Sequence, residues 1–207
     1  MRLHTTRPVA PFHPTLKRNS MTKSILVTGS SSGFGEMTAY ALANAGHQVF
    51  ASMRDIQGRN QDKTERTRTF ANEKGRDIRP LELDVLDNDS VKRAIQSLME
   101  AAGKIDVIVH NAGKPADQVV MRDYAEGPTR TLEAEVAQGH EAVQPAVSDP
   151  LEVARAIVEV VGLPAGKRPL HVTVDPADMG YELVAAMRDR IRAYVYRRMG
   201  LDNLLNR

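Results

Sequence analysis

The chain has 207 residues, no cysteine, no tryptophan and a formal net charge of +2. Without cysteine, disulfides and thiolate metal sites are excluded. No apolar run is long enough to span a membrane, and the few aromatic residues weigh against a base-stacking nucleic-acid surface.

The charge is unevenly placed. Residues 1–20 carry Arg2, Arg7, Lys17 and Arg18 with no acid, together with Pro8, Pro11 and Pro14. This head has no periodicity and no apolar secretory core, so it reads as a disordered basic extension. A transit peptide and a start codon assigned too early are the alternatives. Met21, just ahead of the first predicted strand, is a natural start. With the four head cations removed, 24 basic residues face 26 acidic ones. The body, 21–207, is therefore near neutral and has a length suited to one domain with a real core.

Ser24–Thr28 reads as a buried strand, and Glu36–Ala45 as a helix with Met37, Ala41, Leu42 and Ala45 on one face and Gly46 as its stop. Gln48–Met53 is a second strand. The polar stretch Gln57–Lys74 holds one helix around Lys63–Glu73, and Ile78–Val85 is a third strand. Asp87 to Ser90 offer N-caps for a helix with Val91, Ala94, Ile95 and Leu98 on its core face, ended by Gly103. Ile105–His110 is a fourth strand. Strands alternating with helices predict βαβ units and a parallel sheet. From Lys114 to Asp149 no convincing strand follows: Val119-Val120-Met121 is too short, and Pro128–Gln138 reads as a short helix. Asp149-Pro150-Leu151-Glu152 opens another helix, with Val153, Ala154, Ile157, Val158 and Val161 on its apolar face. Leu170–Val174 reads as a strand. A terminal helix carries a stripe of Leu183, Val184, Met187, Ile191, Tyr194 and Val195.

The densest motif is Thr28-Gly29-Ser30-Ser31-Ser32-Gly33-Phe34-Gly35, between the first strand and the first helix. Gly29, Gly33 and Gly35 let the backbone bend and approach a ligand closely, while the N–H groups of the helix start face a phosphate. An ordinary tight turn is the bland alternative. Asp84-Val85 ends the third strand, and His110-Asn111-Ala112-Gly113 ends the fourth.

In these motifs and their order the chain resembles the short-chain dehydrogenase/reductase family. The likeness is specific over Lys23–Gly113 and loose from about Tyr124 onward. It implies a Rossmann-like doubly wound parallel sheet of order 3-2-1-4, with 21–113 as the cofactor-binding half and 114–207 as the remnant of a substrate-binding half. It implies cofactor contacts at Gly29, Ser31, Ser32, Gly33, Phe34, Arg54, Asp84, Asn111, Ala112 and Gly113, and an NADP- or NAD-dependent alcohol oxidation or carbonyl reduction. An acid at the end of the second strand would hold a ribose 2′-OH and favour NAD. Here Met53 is followed by Arg54, whose guanidinium can pair with a 2′-phosphate, so NADP(H) is expected over NAD(H). Arg54 as a solvated cation, or paired with Asp55, is the alternative. Asp84 could equally cap a turn. His110 reads as a packed histidine, and the scattered His47, His140 and His171 form no metal motif.

The resemblance also implies a catalytic Tyr, a Lys four residues later and a Ser on the preceding strand. No tyrosine here has that Lys: Tyr40, Tyr124, Tyr181, Tyr194 and Tyr196 are followed at the fourth position by Asn44, Pro128, Ala185, Arg198 and Gly200. No catalytic residue is assigned. Only 56 residues separate Gly113 from Leu170, and each crossover unit takes about 30. Relative to the family, the fifth and sixth strands and the helix bearing Tyr and Lys are therefore expected to be missing, through an internal deletion near Gly113–Asp117. A gene-model error would leave the same trace. The fourth strand would then expose an edge unless Leu170–Val174 pairs beside it, and stability would be marginal. A dinucleotide-binding pseudoenzyme and a non-functional deletion product stay open beside an active oxidoreductase. A cytoplasmic location is expected, with no nucleic-acid or membrane partner. Arg188, Arg190, Arg192, Arg197 and Arg198 read as a solvated helix face. Substrate and oligomeric state stay open.

Overall fold

The computed structural model describes residues 22–113, 139, 149–176 and 180–204. The basic head, the Val119–Met121 run and the predicted helix Pro128–Gln138 lie outside the described residues. Among these residues the element order is β1 (Ser24–Val27), α1 (Gly33–Asn44), β2 (Gln48–Met53), α2 (Gln61–Lys74), β3 (Ile78–Glu82), α3 (Asn88–Ala102), β4 (Val107–Val109), α4 (Leu151–Gly162) and α5 (Tyr181–Arg198). A single 3-10 turn, Asp202–Leu204, follows.

The four strands form one sheet of order β3-β2-β1-β4, parallel throughout. Ile25 pairs with Val49 on one side and Val107 on the other, and Val27 with Ala51 and Val109. Every residue of β1 is buried, as a central parallel strand covered on both faces requires. Ile25, Val27, Val49, Ala51 and Ile78 point to one face, where Ala39, Leu42 and Ala43 of α1 and Val161 of α4 close the core. Leu26 and Phe50 point to the other face and meet Leu98 of α3. Burying side chains such as Leu42 and Leu98 is worth about 1.5–3 kcal/mol each.

Helix boundaries follow local chemistry. The Asp87 side chain accepts the Asp89 N–H to cap α3, and Gly75 and Gly103 take left-handed conformations where α2 and α3 stop. At the start of α4 the Asp149 carboxylate accepts the Leu151 N–H at 2.9 Å. At its end the Lys23 ammonium donates to the Val161 carbonyl, tying α4 to the entry of β1.

Four expectations need correction. The buried face of α1 is Thr38, Ala39, Leu42 and Ala43, not Met37, Ala41 and Ala45, because the helix lies between the sheet and α4. The third strand ends at Glu82, since Asp84 turns the chain out of the ladder toward α3. Leu170–Val174 forms no strand; Leu170 is 68 % exposed. The alternation there mimics a half-buried strand, but β4 does not pair with it, so among the described residues β4 itself is the sheet edge. On the α1 side, Val107 and Val109 of β4 and Ile157 and Val158 of α4 pack against one core cluster, while Ile108 on the other side remains 43 % exposed. The α5 stripe stays largely exposed, with Leu183 at 79 % and Met187 at 66 % exposure, although Val184 shares a shallow pocket with Val172 and Val174.

Candidate functional site

All parallel strands point their carboxyl ends to the same edge of the sheet, and the loops there enclose a cleft of about 400 Å³. In an open parallel sheet a ligand crevice is expected at that edge, where β1 and β4 diverge.

Thr28, at the end of β1, is the joint between these strands. Its N–H donates to the Val109 carbonyl at 3.0 Å, and its hydroxyl accepts the N–H groups of Asn111 and Ala112, both at 3.0 Å. Asn111 answers with its side-chain amide, which donates to the carbonyls of Thr28 and Gly29 at 3.0 Å each. The turn after β1 is thus held to the segment after β4 without depending on the three-residue β4 ladder alone.

The glycines have separate reasons. Gly29 has φ +70, and a Cβ there would stand 2.8 Å from the Ala112 Cα. Gly35 lies beneath the turn: a Cβ would be 2.2 Å from the Gly29 carbonyl oxygen and 2.3 Å from the Asn111 amide. Gly33 has φ +59 with nothing within 4 Å of its would-be Cβ, so only the backbone conformation calls for glycine. Ser30 is buried and belongs to the scaffold; its N–H donates to the Ser52 carbonyl at 2.8 Å and its hydroxyl to the Val27 carbonyl at 2.9 Å. Ser31 and Ser32 remain on the cleft. Ser32 precedes α1 without a side-chain capping bond, which leaves the helix-start N–H groups to a ligand or solvent.

Nine of the ten residues expected at the cofactor line this one cleft: Gly29, Ser31, Ser32, Phe34, Arg54, Asp84, Asn111, Ala112 and Gly113. Gly33 is in the turn but not on the wall. Asp84 also caps a turn, its Oδ1 accepting the Leu86 N–H at 3.0 Å. Asp55 does not pair with Arg54; its carboxylate accepts the Arg59 N–H at 2.8 Å. Sequence reasoning missed Arg59, Asn60, Leu83, Val85 and Leu86, which complete the wall beside Met53. Gly58 was the available signal for Arg59 and Asn60. A Cβ there would meet the Asp55 carboxylate at 2.5 Å, so the loop folds back on itself. The cradle fits a dinucleotide phosphate: small residues, unused helix-start donors, and cations at its far end.

The remote candidates stay remote. Arg198 donates to the Tyr194 hydroxyl at 3.2 Å on the exposed surface of α5, and neither residue lines the cleft. His110, expected to be packed, is instead exposed beside the Asn111 turn. Among the described residues no helix is long and apolar enough to cross a membrane.

A parallel sheet with a glycine turn and a helix start over a cleft at its carboxyl edge defines a Rossmann-like α/β domain. The model of the short chain dehydrogenase family matches residues 23–145, well over half of the sequence, and the chain belongs to that family of NAD(P)-binding oxidoreductases. It is 32 % identical over 109 residues to serine 3-dehydrogenase of Agrobacterium fabrum, covering 50 % of this chain and 41 % of that protein. It is 36 % identical over 102 residues to 3-oxoacyl-(acyl-carrier-protein) reductase FabG of Staphylococcus aureus, covering 49 % and 40 %. An alcohol dehydrogenase of the archaeon Thermococcus sibiricus, complexed with 5-hydroxy-NADP, superimposes with TM-score 0.40 at 32 % identity, over 45 % of this chain and 38 % of that one. The chain therefore spans about two fifths of the length of these curated relatives.

Proposed function

We propose that the cleft binds NADP(H) in preference to NAD(H), and that the chain descends from an enzyme exchanging hydride between NADP(H) and an alcohol or carbonyl compound. The observation that carries this is the convergence of the glycine turn, Arg54, Asp84 and Asn111 on one cleft. The Gly29–Gly35 turn would receive the pyrophosphate on the helix-start N–H groups, and Asp84 would face the adenine end. Arg54 would meet the 2′-phosphate. The names of the relatives, a dehydrogenase and a reductase, support the same class of chemistry.

When bound, the nicotinamide supplies or accepts the hydride. The chain's own residues would orient it: Asn111 and Thr28 hold the turn in register, and Ala112 and Gly113 form the wall toward the reacting end. Reduction of a carbonyl also needs a proton donor at its oxygen. A second reading, binding without turnover, is favoured by one specific observation: no tyrosine is followed by lysine at the fourth position.

Calorimetric titration of the full chain with NADPH and NADH tests the proposal. Saturable binding, tighter for NADPH, is expected; equal affinities refute the NADP(H) preference, and no binding of either refutes the dinucleotide site. Hydride exchange assayed at 340 nm with saturating NADPH and a panel of aldehydes and ketones then separates the two readings.

A further inference from the structure

Residues 54–60, which connect β2 to α2, fold into a tight turn. Asp55 has φ 51, an unusual left-handed conformation for a non-glycine residue. Its N–H donates to Glu82 Oε1 at 2.7 Å, and the next N–H, of Ile56, donates to Glu82 Oε2 at 2.8 Å. The Asp55 carboxylate accepts the Arg59 N–H at 2.8 Å, while its carbonyl accepts the N–H groups of Gly58 and Asn60. The Asn60 side-chain amide closes the ring by donating to the Arg54 carbonyl.

Both carboxylates of this region are thereby committed to backbone N–H groups. Ion pairs nearby run elsewhere, Arg66 with Glu36 and Arg79 with Asp77. Neither the Arg54 nor the Arg59 guanidinium has a carboxylate partner among the described residues. Yet the turn returns Arg59 to the wall that Arg54 lines, together with Ser31 and Ser32. Asp84 shares that wall but does not pair with either arginine among the described residues. Two arginines brought to one wall, neither ion-paired with the neighbouring Asp55, Glu82 or Asp84, are set for a dianion, because two planar forks can share the oxygens of one phosphate.

We infer that Arg59 is a second arm of the 2′-phosphate reader, and that Glu82 is the positioning residue whose two hydrogen bonds set the turn carrying both arginines; this rests on the NADP(H) reading above. Glu82 acts through the backbone of Asp55 and Ile56 and does not itself line the cleft.

The test is calorimetric titration of the full chain with adenosine 2′,5′-bisphosphate and with 5′-AMP, on wild type and on Arg59→Ala, Arg59→Lys, Arg54→Ala and Glu82→Gln. Loss of one charge-assisted contact predicts that Arg59→Ala weakens the bisphosphate about tenfold, with 5′-AMP unchanged. Arg59→Lys recovers only part of the loss, since an ammonium lacks the fork. Glu82→Gln, which keeps one acceptor oxygen, weakens the bisphosphate alone. If Arg54→Ala loses the bisphosphate while Arg59→Ala binds it like wild type, Arg59 is a solvated cation and the inference falls with the NADP(H) reading intact. Equal losses for both ligands in Arg59→Ala would mark a structural role and overturn it as well. If wild type does not distinguish the two ligands, the NADP(H) reading itself fails. Should Glu82→Gln not fold, Arg59→Ala still decides.

Discussion

Replacing Gly35 by alanine probes the joint between fold and site. The added methyl would stand 2.2 Å from the Gly29 carbonyl oxygen and 2.3 Å from the Asn111 amide nitrogen. The first is backbone, and the second is a side chain fixed by two hydrogen bonds, so neither can give way freely. Overpacking of this kind costs about 1–3 kcal/mol. Displacing Asn111 forfeits its bonds to Thr28 and Gly29, about 0.5–1.5 kcal/mol apiece. Alanine in a helix returns about 1 kcal/mol relative to glycine. The net expectation is a loss of roughly 1–5 kcal/mol, or about 2–20 °C in Tm for a chain of this size. Gly33→Ala is the control. Its methyl meets nothing, so it carries only the left-handed backbone cost of about 1–2 kcal/mol. Thermal unfolding of the full chain followed by circular dichroism compares them. The reasoning is refuted if Gly35→Ala unfolds at the wild-type temperature, or if Gly33→Ala is the more damaging.

Three further outcomes are expected. Met187→Glu, on the exposed stripe of α5, should change stability by no more than about 0.5 kcal/mol; a drop of several degrees in Tm would mean that the stripe is covered in solution. His47 is buried, and burial first, then the Lys23 charge, holds its pKa below the ordinary value. The unfolded chain therefore binds a proton that the folded one refuses, and stability should decline as pH falls from about 6.5 toward the lowered folded value. Urea titrations at stepped pH should show this slope in wild type and a flatter one in His47→Gln. Asp149→Ala removes the acceptor for the Leu151 N–H and the partner of Arg155 at 3.0 Å. Chemical denaturation should register a loss of about 1 kcal/mol, since the ion pair is largely solvated and adds little.

Much of the cofactor half was legible in the sequence because its signals are local. Gln48–Met53 is a strand at both its predicted ends, and Asp87 and Gly103 bound α3 as their cap chemistry dictates. The parallel sheet follows from strands alternating with helices, and its order β3-β2-β1-β4 is the one the family resemblance implies. Glycine spacing announced the turn, since only glycine serves at positive φ or where a Cβ would strike backbone.

Tertiary structure decided what depends on residues distant in the chain. The return of Arg59 to the cleft needs Glu82, more than twenty residues further on, to clamp the N–H groups of Asp55 and Ile56. The Thr28–Asn111 joint links positions over eighty residues apart. Periodicity alone could not tell the buried face of α4 from the exposed stripe of α5. Both read as amphipathic, yet α4 has α1 to pack against, while the α5 stripe meets no core cluster and stays largely exposed. Alternation at Leu170–Val174 likewise met no strand to pair with. A local pattern states which surface a segment can bury; whether another surface arrives to cover it is settled only by the assembled fold.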